Sequence, residues 1–424
     1  MTYSSPESNH AVTVLAPASD TMKSALMLTR RHCFELFAAS AGLGRAWANT
    51  GRLKITRFVI HKATLRWRDL VFLEIHTDGG ITGIAEATLE NRAGMVEEGL
   101  RWLEEALRGQ DPAGIEDHWD RMYYRLSRWR EGAVIQTALS AVDMALWDIE
   151  GKRLGVPVSR LLGGPIHRKL RVYFTHWSAS LKKQAPEEFA DLALRTREKG
   201  WTAVKWTLPL QGDERERIRR GLAQVEAVRK AVGRDLDIGL EAAESFSVRS
   251  AIEMAQALEP YKPMFLEEPV WRENPAGLGE VAAKSPVPIA TGEGLLSRFA
   301  FRQLLEHKGA AIIQPDVLHA GGITEVRKIA AQAEPYGVEV APHQCSGPVA
   351  HVASMAAMSV ARNFLIQEWE AEDDGVYTEL TRGTYPVQKG GVVSLPEGPG
   401  LGIDVDFTAL VKRFPFQAIN RRAG

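Results

Sequence analysis

Cysteine is almost absent from this chain: of its 424 residues only Cys33 and Cys345 are cysteines, far apart in sequence. That excludes a disulfide framework and the paired-cysteine spacings of structural zinc. Net charge is also missing, at a formal −1, and no basic run stands out. Nucleic acid is therefore not an expected partner. No apolar stretch reaches the roughly 20 residues that a membrane-spanning helix needs, so no membrane partner is expected either.

The length exceeds one ordinary core and points to two domains, one of them possible as a barrel of about 250 residues. Residues 1–52 are read as a leader outside the catalytic fold. Within it, Thr29-Arg30-Arg31, an Ala/Leu/Gly-rich run and Ala46-Trp47-Ala48 have the outline of a twin-arginine export signal, degraded by Cys33, Glu35 and Arg45. A cytoplasmic location is expected, with export to the periplasm through that degenerate signal as the alternative.

From Leu53 the pattern changes. ITRFVIHKATL and LVFLEIHTDGGITGIAEA read as strands with a hairpin at Asp78-Gly79-Gly80. MVEEGLRWLEEALRG and IQTALSAVDMALWDIEGKRLG follow with helical periods, and Ala141, Val142, Ala145, Leu146 and Ile149 line one face of the second. Residues 53–165 thus form an α+β N-terminal capping domain. Beyond Pro165 strands alternate with helices: LRVYFTHW, TAVKWTL, DIGLEAA, MFLEEPV, VPIATGEG, AAIIQPDV, GVEVAPHQ and FLIQEW. These predict an α/β fold, a modified (β/α)8 TIM-type barrel over residues 166–395. The turn-rich segment 396–424 is expected to return to the capping domain.

Active sites of such barrels lie at the carboxyl ends of the strands. His176, Lys205, Glu241, Glu267, Glu293, Asp316, His343 and Glu368 all fall there. Glu241, Glu267 and Glu293 recur at intervals of roughly 25 residues, the length of one strand-helix unit, so they cap successive strands of one sheet. Three carboxylates converging at buried strand ends are costly without a cation, and oxygen ligands suit a hard one such as Mg2+. His343 with Asp316 one strand earlier has the logic of an Asp-His base, the carboxylate orienting the ring. Strand alternation would turn Glu268 away from Glu267.

TALSAVDMALWDIEGKRLGVPVSRLLGG, FLEEPV, GEGL, QPDVLHAGGIT, APHQ, NFLIQE and the LPEGPGLGIDVD tail, in that order from about Leu53 to the end, resemble the enolase superfamily. Within it they are similar to the mandelate racemase-like branch that includes galactonate-type acid-sugar dehydratases. The resemblance implies a metal-dependent abstraction of the proton beside a carboxylate, Mg2+ as cofactor, and a homo-oligomer. It implies Glu241, Glu267 and Glu293 as metal ligands, with Glu241 standing where many relatives have Asp, and His343 with Asp316 as the base. Glu368 matches the eighth-strand acid. Lys205 matches the first lysine of a K-x-K motif whose second position is Thr207 here, so a two-base racemase of that type is disfavoured. Galactonate dehydratase-like proteins carry a histidine two residues after the third-strand ligand; here that position is Ala243. Either His343 returns the proton it took, in a syn elimination, or His176 or Glu244 substitutes; the latter two, with Thr207, are expected to contact substrate. The implied function is hydro-lyase action on a small sugar acid giving a 2-keto-3-deoxy acid. The alternatives are a racemase, epimerase or cycloisomerase of the same branch, or a non-catalytic sugar-acid binding homologue. Arg66, Trp67, Arg68 and the Trp129-Arg130 segment are candidates for substrate selection.

Overall fold

The structure is a computed structural model that describes residues 52–126 and 128–419. The twin-arginine reading of the leader lies outside these residues. No described helix is long and apolar enough to cross a membrane.

Three antiparallel strands open the described chain: β1 (Ile55–Leu65), β2 (Arg68–Thr77) and β3 (Thr82–Glu86). β2 is rich in Leu, Val, Phe and Ile and is buried along nearly all of its length, because helices cover it. Those helices are α1 (Ala93–Leu107) and α2 (Ala133–Leu154). α2 differs from its expected single apolar face: buried residues surround it, polar Thr137, Ser140, Asp143 and Asp148 included. The cap sheet covers one side and the barrel helix Gly322–Ala333 the other.

The barrel strands are β4 (Lys169–Phe174), β5 (Ala203–Thr207), β6 (Asp237–Glu241), β7 (Phe265–Glu267), β8 (Ile289–Thr291), β9 (Ile312–Ile313), β10 (Glu339–Val340) and β11 (Gln367–Trp369). They pair in parallel in the order β10-β9-β8-β7-β6-β5-β4-β11. A parallel bridge between Val340 and Phe364 joins the two ends, supported by Leu365 N donating to Val340 O at 2.9 Å. Closure removes the sheet's edges. All eight expected strands are therefore present in one barrel. β12 (Val392–Ser394) adds an antiparallel partner outside β4.

Side chains fill the barrel interior. Tyr173, Ala203, Phe265, Ala290, Ile312, Ala341 and Ile366 form a compact cluster to which nearly every strand contributes one residue. β6 contributes Gly239 instead, since the Phe265 ring occupies the space a Cβ would need there. Large residues interleave with small ones around the ring, which makes this a packed core and not a pore.

Buried carboxylates of the cap seat the barrel helices. Asp143 on α2 accepts the Thr324 backbone N–H at 3.0 Å, at the start of helix Gly322–Ala333. Glu86 at the end of β3 accepts the N–H groups of Gly347 (2.7 Å) and Ala350 (3.1 Å), at the start of helix Pro348–Met358. Both supply acceptors to helix ends whose donors have no intrahelical partner. The segment after residue 396 also meets the cap: Leu401 N donates to Asp148 at 2.8 Å, Phe407 stacks on His61 at 4.6 Å, and Thr64 N donates to Phe414 O.

Candidate active site

The parallel register sets Glu241 directly beside Glu267, Thr207 beside Glu241 and Glu368 beside Tyr173. Each of those side chains projects from a strand end, and the loops after β8, β9 and β10 add Glu293, Asp316 and His343. A cavity of about 590 Å3 opens at this mouth. His176, Lys205, Thr207, Glu241, Glu293, His343 and Glu368 line it, as do Trp67 and Arg68 from the β1–β2 turn of the cap.

Carboxylate oxygens of Glu241, Glu267 and Glu293 all lie within 4.8 Å of one another. Burial, reinforced by the neighbouring Glu267, holds Glu241 well above the usual carboxylate range. Oε2 of Glu267 is buried with no hydrogen-bond partner. An orphaned anionic oxygen facing two further carboxylates fits a hard divalent cation. On the other side, Nζ of Lys205 reaches Oε1 of Glu267 at 2.7 Å and Oε1 of Glu368 at 2.9 Å. Burial opposes the ammonium, yet Glu267 and Glu368 outweigh it and keep its pKa well above that of an ordinary lysine.

Nδ1 of His343 lies 2.7 Å from Oδ2 of Asp316, which is wholly buried. Burial would raise Asp316, but His319, His343 and the Leu318 N–H keep it below its ordinary value. An ionised Asp316 fixes the ring with Nδ1 as donor and leaves Nε2 for the cavity. Nε2 stands 3.3 Å from Glu293, 3.5 Å from the Cys345 thiol and 3.8 Å from Glu368. Burial works against the imidazolium, but Glu293, Cys345 and Glu368 raise its pKa well above the histidine norm. Much of that pull is the charge of Glu293, which a cation would answer. Glu368 is lowered despite burial, by Lys205, His343, the Gln344 N–H and the Thr175 hydroxyl.

The remaining candidates fall differently. His176 hydrogen-bonds Glu370 through Nδ1 at 2.7 Å, with its ring against the edge of Trp67. Glu244 accepts the N–H and Nε–H of Arg272 at 2.9 and 2.6 Å, and it is Arg272, not Glu244, that lines the cavity. Glu268 does line it, contrary to strand alternation, because β7 ends at Glu267 and Glu268 turns into the left-handed region at φ 41°. Burial and Glu293 raise its pKa to about 8. Ala243, also left-handed at φ 47°, presents no donor side chain where relatives are expected to have histidine. Arg66 pairs with Asp373 at 2.7 Å, whereas Trp129 and Arg130 line a separate aromatic groove.

Sequence reasoning passed over His319, whose Nδ1 meets the Thr137 hydroxyl of the cap at 2.9 Å and whose Nε2 lies 3.8 Å from Asp316. Its spacing of three from Asp316 in QPDVLH was the available signal. It also passed over Glu370 and Arg272, whose partners His176 and Glu244 stand 194 and 28 residues away in sequence.

A barrel mouth with a carboxylate triad, an adjoining lysine and an Asp-His pair under an α+β cap defines an enzyme architecture of the enolase superfamily. The family models agree: residues 48–163 match the mandelate racemase / muconate lactonizing enzyme N-terminal domain and residues 188–409 the enolase C-terminal domain-like family. The chain belongs to this family. It is 38% identical over 375 residues to a D-galactonate dehydratase of Variovorax paradoxus, covering 85% of this chain and 94% of that one. A D-galactonate dehydratase of Ralstonia pickettii is 37% identical over 377 residues, with 85% and 94% covered. Among solved structures, a member of the enolase superfamily from Salmonella Typhimurium superposes with a TM-score of 0.77 at 30% identity, covering 86% of this chain and 98% of that one. A mandelate racemase/muconate lactonizing enzyme from a Sulfitobacter species gives 0.80 at 29%, covering 86% and 96%.

Proposed function

We propose that the protein is a Mg2+-dependent acid-sugar dehydratase that removes the proton α to the carboxylate of a sugar acid and eliminates water to give a 2-keto-3-deoxy acid. The observation that carries this reading is the meeting of Glu241, Glu267 and Glu293 with the His343–Asp316 pair in one cavity. The D-galactonate dehydratase relatives support it.

A proton beside a carboxylate is held tightly, because its loss puts a second negative charge on an anionic group. Glu241, Glu267 and Glu293 would hold the Mg2+, which as a Lewis acid on the substrate carboxylate supplies several kcal/mol of stabilisation to that second charge. His343 takes the α-proton at Nε2 while Asp316 holds Nδ1. The Lys205 ammonium, fixed between Glu267 and Glu368, adds positive charge on the enediolate side. The cap turn bearing Trp67 and Arg68 closes part of the mouth and limits water. Thr207 at the end of β5 offers no basic nitrogen, so abstraction from the opposite face of the substrate has no second base of that type.

Incubation of the Mg2+-loaded protein with a panel of aldonic and aldaric acids, with colorimetric detection of 2-keto acid, tests the reading. Product from at least one acid supports it; Mg2+ binding with no product from any of them contradicts it.

A further inference from the structure

Elimination needs more than a base. Hydroxide is a poor leaving group, and a positioned acid contributes roughly 100- to 10,000-fold to such a step. The proposed function accounts for the proton that leaves carbon and not for the one that must reach oxygen. Ala243 offers none.

The cavity holds few groups able to give one. His343 starts as the acceptor, and returning its proton to the hydroxyl serves a syn elimination alone. His319 is held at Nδ1 by Thr137 at 2.9 Å, and its Nε2 lies beside the base's own partner, 3.8 Å from Asp316. Lys205 is committed to two carboxylates, and Arg68 and Arg272 carry guanidinium groups, which do not deprotonate in proteins. Glu268 stands among the triad carboxylates, 3.7 Å from Arg272. Cys345 adjoins the base itself.

His176 differs from all of these. It follows β4, away from both the triad strands and the base, and lines the same cavity. Its Nδ1 is held at 2.7 Å by Glu370, a carboxylate only 2% exposed, in the same relation that Asp316 bears to His343. Nε2 has no hydrogen-bond partner among the described residues, and the side chain is 35% exposed. The edge of Trp67 fixes the ring plane at 81° with centroids 5.3 Å apart. The backbone at His176 sits at φ 52°, an unfavourable setting for a residue with a Cβ, which surrounding structure must enforce. Strain of this kind gathers at functional sites.

We propose that His176, oriented by Glu370, is the general acid that protonates the departing hydroxyl. The assignment rests on the dehydratase reading. His343 takes the C2 proton, and the C–H electron pair forms the C1–C2 double bond of the enediolate. That pair then moves to C2–C3, the C3–O bond breaks with its electrons on oxygen, and the Nε2 proton of protonated His176 joins that oxygen. Water, an enol and neutral His176 result. The enol becomes the ketone when protonated His343 returns its proton to C3 and the enol hydroxyl gives its own to His176, which restores both histidines.

The test compares carbon-acid exchange with elimination in His176→Asn and Glu370→Gln. With Mg2+ and D-galactonate in D2O, His176→Asn is expected to exchange the C2 proton near the wild-type rate while dehydration falls by roughly 100-fold or more. Dehydration in Glu370→Gln falls by about tenfold or more, as for loss of an orienting carboxylate. Fluoride leaves without a proton, so 3-deoxy-3-fluoro-D-galactonate should be turned over by His176→Asn close to wild type, which also shows that the variant folds. Undiminished dehydration by His176→Asn overturns the assignment, as does an equal loss of exchange, hydroxide elimination and fluoride elimination. A wild-type protein that neither exchanges nor dehydrates D-galactonate or the other acids of the panel removes the dehydratase reading, and the acid assignment with it.

Discussion

Nζ of Lys205 lies within hydrogen-bond reach of two buried carboxylates, Glu267 and Glu368, and 3.8 Å from a third, Glu241. Deleting one member of such a cluster leaves uncompensated charge in a dry site, at about 3–5 kcal/mol. Lys205→Met should therefore lower the unfolding free energy of the metal-free protein by that order, and Mg2+ should recover more of it than in the wild type, because the cation answers the same carboxylates. Denaturant unfolding with and without Mg2+ measures both. Glu267→Gln separates the other role. Loss of a supporting group around a metal commonly costs 10- to 100-fold in affinity, and a ligand at least as much, so calorimetry should find Mg2+ binding weakened by about 100-fold or more. The triad and the Asp-His pair were readable at this scale because each residue ends an apolar run. His176 was readable as a candidate acid but not with the carboxylate that orients it, since Glu370 lies far away in sequence. Glu268 was misread because alternation holds only while the strand continues, and β7 stops one residue earlier.

Elements dock here through buried carboxylates, which makes the docking sensitive to pH. Glu86 is fully buried, and that burial lifts its pKa from 4.5 to about 7 against the pull of the Ala350 N–H and its other donors. A carboxyl raised on folding binds its proton more tightly in the folded state. Its contribution is complete below pH 4.5 and is lost as pH rises through about 7, a change of about 3 kcal/mol. Glu86→Gln should flatten the fall in stability between those limits, as followed by thermal unfolding at a series of pH values; an unchanged slope would contradict it. Gly322 tests the docking surface directly. Its φ of 77° lies in the left-handed region, and a Cβ there would overlap the Asp143 carboxylate. Gly322→Ala is expected to destabilise by about 1–3 kcal/mol in denaturant unfolding. None of this was legible beforehand. Glu86 and Asp143 sit in strand and helix patterns that name their own element and say nothing of the helix they will cap.

For the whole molecule, local alternation of strand and helix fixed the barrel from sequence, because each strand reads as a buried apolar run with a polar residue at its end. All eight strands occur where their runs stand. The five residues read as the apolar face of α2 are all buried, and the reading was incomplete for a global reason: a helix between the cap sheet and a barrel helix has little solvent face to display as periodicity. The same sandwiching lets the cap send Trp67 and Arg68 over the mouth and Thr137 to His319. Metal triad, base and proposed acid thus belong to a single cavity assembled from both parts of the chain. Proton exchange at C2, followed by NMR in D2O with Mg2+ and the panel of aldonic and aldaric acids, reads that assembly most directly. Wild-type protein is expected to exchange the proton and form keto acid with at least one of them, and His343→Asn to lose exchange by about 100-fold or more while still binding Mg2+. Exchange at the wild-type rate in His343→Asn, or none with any acid in Mg2+-loaded wild type, would contradict it.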